Sequence, residues 1–590
     1  MKPLATAYLW DDDLRETTNA QGRNYWYAYI EDLFERIGAP ALRVGPEDLR
    51  EPDTLARLAT LALPDLAADY LGAEQREALH AWVQGGGLLI GLATAGLDEL
   101  FGVEAVGVLV QGEDPWALTA TLRLTDESLA RPLYHPERPD EQLVTASEVR
   151  LLRATEAREL AALGDLEGRP LGRPAITLRQ VGDGYAALFA FDLAHTAWAL
   201  HQGRPIDDDY NGDGYLRFND AIITGQRNPQ TPHTDLLTFL LRNLVALTGQ
   251  PFVYQLPALD GAVPDALFFW GGDDEAAAGT QVKASDFMAE RGLPYHINIM
   301  PREGRFHVSK QEFDHLRANG TEPSLHLNFI DGYEHPLKYT QEDVRGQVRM
   351  YREAFGETPV CTVFHWTLWH GWTEPAEWLC AEGVQADNSR FNSNYQQLNP
   401  TNTVGYAFGT GFPFFLRLDW RAGNQRLDFI SEPITAYEVG YERDEGTNFP
   451  PLHLALDNAA YWHLTTDLFF HPVCIFQHRP CKEAVDEALR YLSEKGIRAV
   501  HMGNDAVNYW WRARTAATIE QASAGEAGVC FVAECAWEDG YVILIPIGDG
   551  QPKAEVDGAA AQAEVRQEFG RRWAYVALPS GRHQVRVTQT

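Results

Sequence analysis

Hydrophobic and polar positions change their rhythm three times along the chain. Up to about Pro251, apolar runs such as LATAYLW and GYAALFAFDL alternate with segments whose apolar residues recur at helical spacing, GRNYWYAYIEDLFERIG and HTDLLTFLLRNLVALTG among them. QREALHAWVQGGGLLIGLA passes from a helix through glycines into a strand. Such alternation predicts a parallel sheet flanked by helices. A second series starts near Pro264 with the strand ALFFW. SKQEFDHLRANG follows, with a capping box in Ser309 and Glu312 and a stop at Gly320. SLHLNF, the helix TQEDVRGQVRMYREAFG opened by Thr340 and stopped at Gly356, VCTVFHW, DLFFHPVCIF, EAVDEALRYLSEKG and IRAVHMG complete it. Repeated strand–helix units predict a closed or nearly closed β/α barrel. From about Ala524 the runs GVCFVAECAW, GYVILIPIG, RRWAYVALPSG and RHQVRVTQT become short strands between Gly and Asp turns, which predicts a small antiparallel β-sandwich. The expected organisation is α/β and multidomain, with regions at 1–255, 262–515 and 524–590.

Composition narrows the function classes. A chain of 590 residues exceeds what one core organises, so about two to four domains are expected. Its net charge of -34 argues against a nucleic-acid backbone as partner. No apolar run reaches the roughly eighteen residues of a membrane span. The start, MKPLATAYLWDDD, reads as a first strand and not as a signal peptide, so a cytoplasmic location is expected. The six cysteines form no CxxC pair, which makes a disulfide framework or zinc knuckle improbable and small buried residues the expectation.

FFWGGDDE, residues 268–275, sets two aspartates side by side where an apolar strand stops. A solvated turn is one reading; a catalytic pair, with one carboxylate on a metal and its neighbour moving a proton, is the other. Downstream, His326 closes a strand and His335 precedes Pro336 and a helix. TVFHWTLWHGWTEP concentrates His365, Trp366, Trp369, His370 and Trp372, and Asp387 stands at the end of the next strand. Indole faces stack on sugar rings and imidazoles bond hydroxyls, so this stretch suits a saccharide subsite as well as an aromatic core. His471 follows the late apolar strand DLFF.

On these motifs the middle region, about 262–512, resembles the polysaccharide deacetylase superfamily, whose barrel is the NodB homology domain. The resemblance implies Asp273 as general base and Asp274, His326 and His335 as ligands of Zn2+ or another divalent ion. It also implies His471 as general acid toward a leaving amine, in hydrolysis of an acetamido group on a sugar. His365, Trp366, Trp369, His370, Trp372 and Asp387 would then meet the saccharide substrate. The pattern departs from the family in two places: His326 and His335 stand nine apart instead of four, and the third motif lacks its arginine. The first region resembles the flavodoxin-like, class I glutamine-amidotransferase-like domain, which implies an assembly surface and hence a homo-oligomer. Its elbow, GLLIGLATAGL, has no cysteine, so amidotransfer is not expected.

DYNGDGYLRFND fits the spacing of a calcium loop, with Asp209, Asn211, Asp213 and Asp220 as Ca2+ ligands; an acidic surface loop is the competing reading. Two rivals to the deacetylase stay open. One is a degenerate barrel that binds saccharide without turning it over. The other is a glycoside hydrolase with paired carboxylates such as Asp273 and Glu432.

Overall fold

The structure is a computed structural model that describes residues 2–225, 227–330, 339–392, 401–443, 445–525 and 528–589. In the first region strands β1 (Ala5–Leu9), β2 (Ala41–Val44), β3 (Leu58–Leu63), β4 (Leu88–Leu92) and β5 (Gly184–Phe189) pair in parallel in the order β2-β1-β3-β4-β5. β3 and β4 are buried along their whole length, as expected of strands covered on both faces. Beyond β5 the sheet continues through antiparallel strands Pro170–Val181, Arg158–Gly164, Ala120–Leu124 and Leu143–Thr145. The parallel sheet expected from the sequence is therefore mixed.

The central region holds β6 (Ala266–Asp273), β7 (Tyr295–Ile299), β8 (Thr321–Leu327), β9 (Cys361–Phe364), β10 (Ala386–Asp387), β11 (Arg426–Ser431), β12 (Ala436–Tyr437), β13 (Thr465–Phe469) and β14 (Ala499–Met502). They run parallel in the order β12-β13-β6-β7-β8-β9-β10-β11, with β14 also on β6. The intervening helices start and stop where the caps predict. Ser309 accepts the N–H of Glu312 at the head of Lys310–Ala318, and Gly356, at φ +83°, ends Gln341–Phe355.

The sheet curls on itself. Asn388 Nδ2, just past β10, donates to Asp467 Oδ2 on β13 at 3.0 Å, although those strands stand five apart in the ladder. The closed barrel is corrected, however: among the described residues no ladder joins β11 to β12, so the wall stays open there.

Antiparallel strands from Thr518 to Gln589 make two further sheets. Lys2–Pro3 adds to one of them and Phe252–Val253 to the other. All six cysteines are free thiols, and four of them are buried. Among the described residues no helix is long and apolar enough to cross a membrane.

A buried ionic node ties the first region to the second. Arg36 Nη1 lies 3.2 Å from Asp235 Oδ1 and donates to Thr410 Oγ1 at 2.9 Å. Asp235 also accepts the N–H of Gly411 at 2.8 Å. Removing one partner strands a buried charge. Arg36→Met should therefore lower unfolding free energy in urea by about 3–5 kcal/mol, and Arg36→Met with Asp235→Leu should recover most of the loss. Equal losses in the single and double variants would show that the node does not act as a pair.

Candidate functional site

Side chains from successive strand ends converge on one pocket at the carboxyl edge of the central sheet. Asp273, Glu275, His326, His365, Trp366 and His471 line it, with Tyr437 and Arg217. The glycines of FFWGGDDE make this possible. A Cβ on Gly272 would stand 1.9 Å from the carbonyl oxygen of Phe470, so only glycine lets β6 approach the end of β13 closely enough for Asp273 and His471 to share a pocket.

Strand alternation then sorts the acids. Asp273 faces the pocket and accepts from Asn298 Nδ2 at 3.1 Å. Asp274 faces the other way, where Gln281 Nε2 donates to its Oδ1 at 2.5 Å. Glu275 returns to the pocket, its side chain 37% exposed. Burial pushes Asp273 up to about 7, while the neighbouring His471 works in the opposite sense.

The histidines occupy distinct states. His326 Nδ1–H donates to the backbone carbonyl of Asp274 at 3.1 Å, which fixes the tautomer. Burial drives its pKa well below the ordinary value, so the ring is neutral and Nε2 carries a lone pair. That Nε2 lies 3.6 Å from Asp273 Oδ2. The ring of His365 meets that of His326 edge-on at 4.9 Å. His471 caps the helix Pro472–Gln477, and its Nδ1–H donates to Glu438 Oε1 at 2.6 Å. Burial lowers His471, but the bond to Glu438 outweighs it and leaves the ring above its ordinary pKa. Glu438 is fully buried and also accepts from the backbone N–H of His471 and from Tyr441 Oη. These bonds overcome burial and hold its carboxyl below the usual range. On the opposite rim Trp366 and Thr367 both adopt left-handed backbone, at φ +58° and +54°, a strain that side chains rarely adopt away from functional sites.

Several expected roles change. Asp274 does not line the pocket, and its carbonyl bonds His326. His335 lies outside the described residues. The described groups of three side chains placed to share an ion are Glu438, His471 and Cys474, and His296, Glu322 and Asp505; neither contains Asp274 or His326. His326 Nε2 and Asp274 Oδ2 are both buried without a hydrogen-bond partner, and no step is assigned to a metal. Of the expected saccharide residues, His365 and Trp366 line the pocket. Trp369 is buried against Phe218 and Phe364, and His370 Nε2 bonds the carbonyl of Tyr339. Trp372 donates to the carbonyl of Gly203 and stacks on Trp198 at the first region. Asp387 is buried beneath, accepting from Ser389, and burial pushes it up to about 7. Glu432, the partner expected in the glycoside hydrolase reading, is fully buried on Asn504 and Cys361 and does not line the pocket.

The acidic loop serves the site in an unexpected way. Asp209 accepts the N–H groups of Gly212, Asp213 and Gly214, and Asp220 those of Asn211 and Arg217. Asn211 Nδ2 donates to Asp213 Oδ2, and Arg217 Nε donates to the same oxygen at 2.7 Å. The positive charge beside Asp213 is thus a guanidinium, and no cation is assigned to the loop. What the loop delivers is Arg217 into the pocket and Tyr215 edge-on to Trp366 at 4.9 Å. Sequence reading missed Glu275, Arg217, Tyr437 and Glu438; Glu275 and Arg217 stood inside motifs already singled out, FFWGGDDE and DYNGDGYLRFND.

No family model matches the chain, and no curated protein matches it. Among solved structures it is similar to a β-galactosidase from Rahnella sp., at 15% identity over 32% of this chain and 28% of that one, with a TM-score of 0.25. An exo-β-1,4-mannosidase from an Opitutaceae bacterium shows 16% identity over 33% of this chain and 32% of that one, with a TM-score of 0.23. A putative ThuA-like protein from Bacteroides uniformis shows 10% identity over 32% of this chain and 82% of that one, with a TM-score of 0.23. The chain spans less than a third of the length of the two glycosidases. These findings correct the expected membership of the polysaccharide deacetylase superfamily: the sugar-active structures found are glycoside hydrolases, and no family model joins the chain to deacetylases or amidotransferases.

The His471–Glu438 pair makes a direct prediction. In Glu438→Gln, burial acts on His471 without its compensating carboxylate, so its pKa should fall by about one unit or more, read by NMR titration of ring-labelled histidine. Because the folded value is raised, the stability the pair contributes is complete below about pH 6.5 and is lost as pH rises through the folded value. An unchanged titration would remove Glu438 from this role.

Proposed function

We propose that the protein is a hydrolase of saccharides that cleaves a glycosidic bond with Asp273 and Glu275. The observation that carries the reading is a pair of carboxyl groups in one pocket with opposite surroundings. Asp273 is buried and raised to about 7, so it holds a proton near neutral pH. Glu275 stands in the solvated mouth, 3.6 Å from His471 Nε2. Glycosidic cleavage requires two carboxyl groups in one site, an acid for the leaving oxygen and a base or nucleophile for the sugar carbon.

In this reading Asp273 gives its proton to the glycosidic oxygen as the bond breaks, and Asn298 Nδ2 donates to the resulting carboxylate. Glu275 acts on the sugar carbon or on the attacking water. His471, held protonated by Glu438, orients Glu275 and supplies positive charge. The pocket is narrow, about 40 Å³, so it seats the reacting atoms while the sugar ring lies at the mouth, where Trp366 offers an aromatic surface.

Release of reducing ends from a panel of aryl glycosides tests this. Asp273→Asn and Glu275→Gln should each lower kcat by about 10²–10⁴-fold. A general acid works only while protonated, so activity should fall about tenfold per pH unit above about 7, the value to which Asp273 is raised. Dialysis against EDTA should leave the rate unchanged. Full activity in Asp273→Asn, or a rate that climbs from pH 7 to 9, would reject the assignment.

A further inference from the structure

A second cavity, of about 580 Å³, lies at the carboxyl edge of the first sheet. Its volume falls within the roughly 300–1,000 Å³ of small-ligand sites. The order β2-β1-β3-β4-β5 places it at a topological switch point, because the chain leaves β1 first to one side for β2 and then to the other for β3. Crevices beyond the carboxyl ends of such strands are where open α/β sheets take ligands. Residues that follow β1, Tyr25 and Trp26, and residues that follow β3, Pro64 and Asp65, form its walls.

The lining has a defined chemistry. Trp26, Trp116 and Trp420 supply aromatic surface, and Asp65, Glu113, Glu148 and Asp192 supply carboxyl groups. Trp26 is held rigidly: His195 stacks on it at 4.2 Å and 8°, and Trp198 and Trp372 pack edge-on. Trp116 Nε1–H is buried with no acceptor in the protein. Trp420 comes from the second region, its backbone N–H donating to Asn24 Oδ1 at 2.7 Å, and it is 39% exposed. Asp192 Oδ1 caps the helix Leu193–Gln202 by accepting from Ala194 and His195. Ala93, just past β4 and at φ +51°, lines the cavity with an apolar side chain that cannot act as a nucleophile. The one cationic lining residue is Arg23, and it is exposed.

We infer that this cavity is a binding site for a neutral saccharide, separate from the Asp273 pocket. Indole faces take the C–H faces of a sugar ring, carboxylates accept from its hydroxyls, and the indole N–H of Trp116 donates to one of them. Four acids against one arginine disfavour anionic ligands. The site is built by both regions, since Trp372 backs it and Trp420 walls it.

The full chain carrying Asp273→Asn, chosen to slow any turnover, is titrated calorimetrically with lactose, cellobiose and mannobiose. At least one should bind, and its affinity should fall tenfold or more in Trp420→Ala and in Asp65→Asn, both at exposed positions, with thermal midpoints unchanged. Binding is read in place of turnover, so the result stands apart from the glycosidase assignment. If none of the three disaccharides binds, or if binding survives both substitutions, the inference is overturned.

Discussion

Alternation at the end of β6 governs the site. Successive side chains of an extended strand take opposite faces, so Asp273 and Glu275 enter the pocket and Asp274 cannot. The same geometry turns the carbonyl of Asp274 toward His326, where it receives Nδ1–H and leaves Nε2 as the acceptor. One residue thus fixes a tautomer with its backbone while its carboxylate is occupied by Gln281. The proposed division of labour between Asp273 and Glu275 descends from this constraint.

Burial does the rest of the electrostatic work. Asp273 is raised because it is buried beside a single amide donor, whereas Glu438, buried more completely, is held low by three donors. The difference lies in hydrogen bonding to the ionised form and not in depth. His326 and His471 repeat the contrast among imidazoles: burial without a carboxylate bond holds the one well below its ordinary pKa, and the bond to Glu438 raises the other above it.

The regions are joined by chemistry as well as by packing. Arg36 and Asp235 grip Thr410 and Gly411, the loop before Phe218 carries Arg217 across to the central pocket, and Trp372 and Trp420 cross in the other direction. Each cavity therefore contains side chains from both regions. The aromatic stretch around Trp366 shows the consequence: residues a few positions apart are divided between two cavities and a core, because the left-handed turn at Trp366 and Thr367 changes the direction of the chain.

What the sequence determined by itself is local. Hydrophobic period set the strands and helices of the first and second regions, Ser309, Thr340 and Gly356 set helix ends, and the stop after FFWGG placed Asp273 at a strand terminus. Each of these follows from neighbours within a few residues. The antiparallel strands between 120 and 181, the open seam between β11 and β12, and the roles of Glu438, Arg217 and Trp420 were decided only by the tertiary structure. The reason is physical. Whether a carboxylate keeps its proton and which ring nitrogen carries hydrogen depend on groups brought together from distant segments, and no spacing along one strand encodes them.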